Sequence, residues 1–187
     1  MKFLLITGAY RSGTSYLHKV FECNPKCQVL FQPAIKYFKL IDLSIRKKLK
    51  KKGFNNFPLG VMKINKKISL EKILLTKNKI LNLTSKLIRS EKKNLYFYKK
   101  IYTKVKLEKN FVNSEKLLNI IFDSIEKPGQ KKIIVGIKEP YLGNLLIPMS
   151  NLKNIYIINI IRDPREIIYS RNYAEIKNHS DFRSKKH

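Results

Sequence analysis

Cysteine and long apolar runs are scarce in this chain, and each scarcity excludes a class of protein. The 187 residues contain two cysteines, Cys23 and Cys27, with no second pair and no flanking histidine, so neither a zinc site nor a disulfide framework is expected. No stretch approaches the roughly 20 apolar residues of a membrane-spanning helix. The first apolar run ends at Gly8, unlike that of a secretory signal peptide. If Met1 is the true start, we expect a cytoplasmic protein without a transmembrane segment.

Acidic residues are also few, and the charge of the chain is therefore one-sided. There are 13 Asp and Glu against 40 Lys and Arg, a formal net charge of +27 at pH 7. Such a field attracts nucleic acid, anionic membranes and phosphorylated or sulfated small molecules alike. The excess is nearly all lysine, spread along the chain with much Ile and Asn, as an AT-rich coding sequence would produce. Clustered arginines with interleaved aromatics are not found, so a general preference for anions is favoured over dedicated nucleic-acid binding.

Short apolar runs alternate with helical patterns along the chain. Strands are predicted for residues 2–7, 27–31, 132–138 and 154–161, and helices for residues 14–23, 34–52 and 113–126. Residues 54–110 are interpreted as a variable, mostly helical insertion. Continuous apolar strands suit a parallel sheet that is covered on both faces. We therefore predict one domain over residues 1–187, an α/β fold with three α/β/α layers around a central parallel sheet.

A loop with two glycines joins the first predicted strand to the first helix. Its residues, Gly8-Ala9-Tyr10-Arg11-Ser12-Gly13-Thr14-Ser15, have the spacing of a phosphate-binding P-loop. Backbone N–H groups converge in such a loop and the helix dipole adds partial positive charge, so Tyr10 to Ser15 are candidate binding residues. Thr14 stands where a nucleotidase carries the lysine that reaches the β- and γ-phosphates. The loop therefore predicts a phosphate group, and a nucleoside triphosphate only weakly.

A second charged segment follows the last predicted strand. Asp163 is a suitable N-cap, Pro164 suits the first helical position, and Glu166 would complete a capping box. Arg162 would then lie at the carboxyl end of the sheet, with Ser170 about two turns along the helix. A guanidinium and a hydroxyl in these places could hold a second phosphate group. Alternatively, Arg162 pairs with a neighbouring carboxylate.

Both segments resemble parts of the sulfotransferases that use 3′-phosphoadenosine 5′-phosphosulfate (PAPS). The Gly8–Ser15 loop is similar to the family's 5′-phosphosulfate loop, and Arg162-Asp163-Pro164-Arg165 with Ser170-Arg171 resembles its 3′-phosphate motif. The carbohydrate-sulfotransferase branch is especially similar in two further segments, Phe21–Pro25 and Gly136–Pro140. The resemblance covers roughly residues 1–35 and 132–177.

The resemblance implies a fold, a reaction and residue roles. The fold would be that of the P-loop nucleoside-triphosphate hydrolases, and PAPS would donate a sulfuryl group to a hydroxyl of a small molecule or glycan. Backbone amides of Arg11 to Ser15 would cradle the 5′-phosphosulfate, Arg11 would stand beside the bridging oxygen as a catalytic residue, and Arg162 and Ser170 would bind the 3′-phosphate. No metal is expected, because sulfuryl transfer mainly needs positioning and charge stabilisation.

The chain departs from the family pattern at the catalytic base and in its length. The carbohydrate branch usually places a Glu before Pro at the end of the second strand, whereas this chain has Gln32, whose amide cannot accept a proton. The substitutes are Glu139, His18, Glu22 and Asp42. Glu139 is also explained by an ion pair with Lys138, and His18 by packing. We also expect the family's C-terminal helices to be absent, as in a truncated, reduced or non-catalytic relative.

Two further hypotheses remain open. A P-loop nucleotide kinase or NTPase with Arg11 in place of the lysine would need magnesium and an acidic ligand after a strand, and Asp163 is the acid in that position. A non-catalytic, basic anion-binding protein would follow from the charge alone, and its binding would depend steeply on salt. The acceptor would be selected by residues 33–130.

Overall fold

The fold is taken from a computed structural model that describes residues 3–9, 11–48, 69–127, 129, 132–140, 142, 145, 149–150, 152 and 154–169. Its strands are β1 (Phe3–Gly8), β2 (Cys27–Phe31), β3 (Leu74–Thr76), β4 (Phe111–Asn113), β5 (Ile134–Lys138) and β6 (Ile155–Ile160). Its helices are α1 (Thr14–Glu22), α2 (Ile35–Lys48), α3 (Lys77–Ser90), α4 (Leu95–Lys106) and α5 (Ser114–Asp123), with a short 3₁₀ turn at Leu70–Lys72. Residues 164–169 are also helical.

Four strands form a parallel sheet in the order β2-β5-β1-β6. The register places Ile6 of β1 opposite Lys138 of β5, and Gly8 opposite Ile160 of β6. The connection from β1 to β2 passes over β5, whereas the connection from β5 to β6 passes over β1 in the other direction. Connections that diverge in this way leave a crevice at the carboxyl ends of the strands.

Helices cover both faces of the sheet because successive side chains of each strand point to opposite sides. Leu4 and Ile6 of β1 pack towards the apolar side of α1. Phe3 and Leu5 belong instead to a larger core that contains the apolar faces of α2, α4 and α5. The predicted α/β architecture with a central parallel sheet flanked by helices is confirmed.

The predicted elements around the sheet match the structure to within a few residues. The helix predicted for 34–52 is described to Lys48, and residues 49–53 lie outside the described residues. The described part of the 54–110 insertion contains α3 and α4, together with β3, whose antiparallel pairing with β4 was not predicted. In the part of the chain that the structure describes, no helix has the length and apolar character needed to cross a membrane.

Candidate functional site

The end of β1 packs so closely that Gly8 leaves no room for a side chain. A Cβ added there would lie 2.6 Å from the carbonyl oxygen of Ile160 and 2.7 Å from Ser12 Oγ. At Gly13, the N-cap of α1, the backbone is left-handed with φ 103°, and a Cβ would meet nothing within 4 Å. The first glycine therefore allows β6 and the loop to approach, and the second turns the chain into α1 beside open space.

Ser12 has a buried hydroxyl without a partner. Its side chain is 6% exposed, and its Oγ makes no hydrogen bond in the structure. Thr14, the first residue of α1, is buried as well. A buried hydroxyl that satisfies no partner is rare and unfavourable, and it is explained when a ligand supplies the missing partner. Together with the unpaired N–H groups of the first turn of α1, Ser12 makes this loop a candidate anion site.

Arg11 and Arg162 join the two segments that the sequence analysis singled out. Arg11 adopts φ 67°, a left-handed conformation that is uncommon outside glycine, and its side chain is exposed. Arg162 Nη1 donates a hydrogen bond to the carbonyl oxygen of Arg11 over 3.1 Å. Arg162, two residues after β6, is therefore held against the loop that follows β1, because the carboxyl ends of these neighbouring parallel strands are adjacent.

Arg162 also pairs with a neighbouring carboxylate, which was the alternative to a phosphate-binding role. Its Nε lies 2.7 Å from Glu166 Oε2, one helical turn further on. The guanidinium thus bridges Glu166 and the Arg11 carbonyl, and it is 39% exposed. A guanidinium carries five N–H donors, so this arrangement still presents N–H groups to an anion. Ser170 and Tyr10, the other predicted contacts, lie outside the described residues.

Asp163 is the predicted N-cap of the helical residues 164–169. Its Oδ1 accepts a hydrogen bond from the backbone N–H of Arg165 over 2.8 Å. The side chain of Arg165 also pairs with it at 2.7 Å, and these bonds lower the pKa of Asp163. The predicted capping box is wrong in its second half, since Glu166 binds Arg162 instead of returning to Asp163.

Lys138 is a candidate site residue whose role the sequence reasoning missed. It ends β5 opposite Ile6, is only 3% exposed, and holds its ammonium 4.3 Å from the centroid of the Phe31 ring. Burial lowers its pKa, and the charge of Glu139 opposes that shift. The signal in the sequence was a lysine closing an apolar strand at the carboxyl edge of the sheet. There a cation adds to the anion-attracting field of the neighbouring loop.

Glu139 is fully buried and caps α2. Its Oε1 accepts a hydrogen bond from the backbone N–H of Ala34, whereas its Oε2 has no partner. Burial raises the pKa of Glu139 to about 8, against the opposing effects of the Ala34 and Ile35 N–H groups and of Lys138. The alternative of an ion pair is wrong, because among the described ion pairs none joins Glu139 to Lys138, which packs on Phe31.

The turn after β2 lies against this carboxyl group. Gln32 adopts φ 50°, a left-handed conformation, and its N–H donates to the carbonyl oxygen of Lys138 over 2.9 Å. Tyr98 of α4 donates its hydroxyl to the carbonyl oxygen of Pro33 over 3.1 Å. Glu139 therefore brings a carboxyl group into the turn where the sequence places the amide of Gln32.

The three other substitutes for a base are engaged elsewhere. His18 is buried, with Nε2 2.9 Å from the carbonyl oxygen of Val29, on the edge of β2 that faces away from β5. Glu22 pairs with Lys19 at the end of α1. Asp42 forms a buried ion pair with Arg46 inside α2, one turn apart. Of the four, Glu139 is the one that lies at the carboxyl edge of the sheet next to the turn at Gln32.

Comparisons with protein-family models, with curated proteins and with solved structures found no match to this chain. Within the described ranges, no three His, Cys, Asp or Glu side chains are grouped so that they could hold a metal ion. The site is thus characterised by its own geometry: a glycine loop at a helix N-terminus, an arginine fixed against it, and a buried lysine and glutamate at the end of the neighbouring strand.

Proposed function

We propose that this chain binds PAPS at the carboxyl edge of the sheet and transfers its sulfuryl group to an acceptor hydroxyl. The fold would then be a variant of the P-loop architecture, with the Gly8–Ser15 loop as its phosphate-binding element. The observation that carries the proposal is the hydrogen bond from Arg162 Nη1 to the Arg11 carbonyl oxygen. It supports a single site, in which two anionic groups of one ligand are held by segments far apart in the sequence.

The residues present fit such a ligand. The buried Ser12 hydroxyl and the N–H groups at the start of α1 suit the 5′-phosphosulfate, and the open space at Gly13 admits it. Arg162, which keeps part of its guanidinium exposed, suits the 3′-phosphate. When bound, PAPS supplies the activated sulfuryl group.

The chain's own groups would stabilise charge and orient the acceptor. Arg11 in the loop and Lys138 at the end of the neighbouring strand would place positive charge near the leaving phosphate, which gains negative charge. Removing one such donor typically lowers the rate by about 10²–10³-fold. Glu139 is the candidate for the proton acceptor, because its raised pKa of about 8 is close to the value that favours general base catalysis at neutral pH.

Adenosine 3′,5′-bisphosphate tests the proposal without any knowledge of the acceptor. At a hundred times its dissociation constant, a ligand raises the free energy of unfolding by about 2.7 kcal/mol, which is roughly 5–10 °C in Tm for a chain of this size. We expect this shift in the unmodified protein and its loss in Arg162→Ala. The matched control is Arg89→Ala, which removes an exposed arginine of α3 and should keep the full shift.

Three results would contradict the proposal. A chain that shows no stabilisation by millimolar bisphosphate does not have this function. A chain stabilised by ATP only in the presence of magnesium would instead be a nucleotide kinase or NTPase. Equal binding of unrelated polyanions, with a steep salt dependence and no effect of Arg162→Ala, would identify a general basic binding protein.

A further inference from the structure

A cavity lies between the last turn of α2 and the strand β3. Its volume is about 430 Å³, which falls within the usual range for small-molecule sites. Its described lining consists of three lysines, two hydroxyl side chains and three apolar residues in and just before β3: Lys47, Lys48, Lys79, Ser44, Thr76 and residues 73–75. We call it the lysine cavity. None of these lining residues is acidic.

The cavity lysines differ from one another in the partners that the described residues give them. Outside the cavity, some described lysines bind carbonyl oxygens or carboxylates, as Lys77 does with the Lys106 and Glu108 carbonyl oxygens at 2.6 and 2.8 Å. In the cavity, Lys48 donates to the Lys72 carbonyl oxygen at 2.6 Å. For Lys47 and Lys79, no described residue offers an oxygen within hydrogen-bonding distance. Three like charges around one cavity repel each other, and an anion relieves that repulsion.

The helix dipole favours a positive charge at the position of Lys47 but not at the position of Lys79. Lys47 lies in the last turn of α2, where the helix dipole favours cations. Lys79 lies in the first turn of α3, where the dipole disfavours them, and that turn contains no acidic residue. The placement of Lys79 is therefore unfavourable for the isolated chain and favourable once a negative charge is present.

The open edge of β3 adds backbone donors to the cavity. Two backbone hydrogen bonds flank β3 on the side of β4. The Ser114 N–H donates to the Ile73 carbonyl oxygen, and the Lys77 N–H donates to the Asn110 carbonyl oxygen. Because these groups alternate along a strand, the N–H groups of Leu74 and Thr76 point the other way, to the edge that borders the cavity. Leu74 is 61% exposed, which leaves this edge accessible.

The lysine cavity is distinct from the site at the Gly8–Ser15 loop. α2 starts near the carboxyl edge of the sheet, and its 14 residues carry the chain about 20 Å away before Lys47 and Lys48 are reached. A nucleotide held by Arg162 does not extend over that distance. A ligand in the lysine cavity would therefore be separate from that nucleotide.

We propose that the lysine cavity binds a small anion with two or more phosphate or sulfate groups. Lys47 of α2 and Lys79 of α3 both line it, so a ligand with two charged groups offers one group to each helix. The Leu74 and Thr76 N–H groups supply neutral donors between them. This proposal does not depend on the function proposed for the other site.

The test uses inorganic pyrophosphate as the probe and calorimetry as the readout. All titrations are made in the Arg162→Ala background, so that binding at the Gly8–Ser15 loop is weakened in every sample. Lys47→Ala/Lys79→Ala removes two cavity charges, and Lys86→Ala/Lys99→Ala removes two exposed charges elsewhere on α3 and α4. We expect the first pair to weaken binding about tenfold or more, since charged hydrogen bonds are lost, and the second to change it little.

Amide resonances give a second readout on the folded protein. Pyrophosphate should shift the Leu74 and Thr76 N–H signals of the Arg162→Ala protein, and the shifts should disappear in Lys47→Ala/Lys79→Ala. Equal weakening in the two lysine pairs would show that net charge alone is responsible and would overturn the proposal. Undiminished binding in Lys47→Ala/Lys79→Ala, or unmoved Leu74 and Thr76 signals, would overturn it as well.

Discussion

Replacing Gly8 by alanine tests whether the close packing at the end of β1 forms the anion site. The added Cβ would lie 2.6 Å from the Ile160 carbonyl oxygen and 2.7 Å from Ser12 Oγ, both shorter than real Cβ contacts. Either the end of β6 or Ser12 must move. Overpacking by one methyl group typically costs about 1–3 kcal/mol, which corresponds to roughly 2–12 °C in Tm for a chain of this length.

Two other glycines provide controls, because alanine at either of them causes backbone strain without a steric clash. Gly129 has φ 75° and Gly13 has φ 103°, and at both an added Cβ meets nothing within 4 Å. Alanine at either position should cost about 1–2 kcal/mol through its left-handed conformation alone. Gly129→Ala is the remote control, whereas Gly13→Ala places the same strain at the N-cap of α1.

The assay is thermal unfolding with and without adenosine 3′,5′-bisphosphate. We expect Gly8→Ala to lower Tm and to abolish the shift caused by the ligand, because its displaced neighbours are the Ser12 hydroxyl and the end of β6, which leads into Arg162. Gly129→Ala should lower Tm and keep the whole shift. A Gly8→Ala protein that retains the full ligand shift would refute the reasoning, since the site would then not require the approach of β6 to β1.

Two further predictions concern Glu139 and Lys138, the two buried residues at the end of β5. The pKa of Glu139 is about 8 in the folded chain against an ordinary value of 4.5, so its contribution to the free energy of unfolding is fully present below about pH 4.5 and is lost as the pH rises through about 8. Urea unfolding should therefore show stability falling over this window, and Glu139→Gln, which keeps an oxygen for the Ala34 N–H, should remove that slope; an unchanged slope would assign it to other groups. Lys138→Met keeps the packing on Phe31 and removes a buried charge, so Tm should hold or rise while bisphosphate affinity falls about tenfold or more. Unaltered affinity in calorimetry would exclude Lys138 from the site.

Local patterns in the sequence were sufficient for most elements of the sheet and for the Gly8–Ser15 loop. β2 was predicted with its observed bounds because an apolar run is enclosed by Pro25 and Pro33. The helix predicted for 113–126 is observed as α5, and Asn113, which the prediction placed inside it, is its N-cap and accepts the Lys116 N–H over 2.7 Å. By contrast, β3 and β4 have three residues each and exist only through their mutual pairing, which leaves no periodic signal.

The rest of the candidate site depends on contacts that local patterns do not carry. The sequence put Lys138 beside Glu139 and suggested an ion pair, but neighbouring residues of a strand point to opposite faces. Lys138 accordingly turns to Phe31 of β2, and Glu139 turns to the N-terminus of α2. Both partners are about 100 residues away in the chain, and only the order of the strands brings them together.

The bond between Arg162 and the Arg11 carbonyl also bears on how the chain folds. It joins residues 151 positions apart, so it forms only after β6 has docked beside β1. During synthesis the Gly8–Ser15 loop emerges well before Arg162, so the site is complete only after β6 has been made and has docked beside β1. A ligand that needs both segments would bind the finished sheet and not its precursors. It would therefore hold the last strand in place and slow unfolding, while leaving the folding rate nearly unchanged.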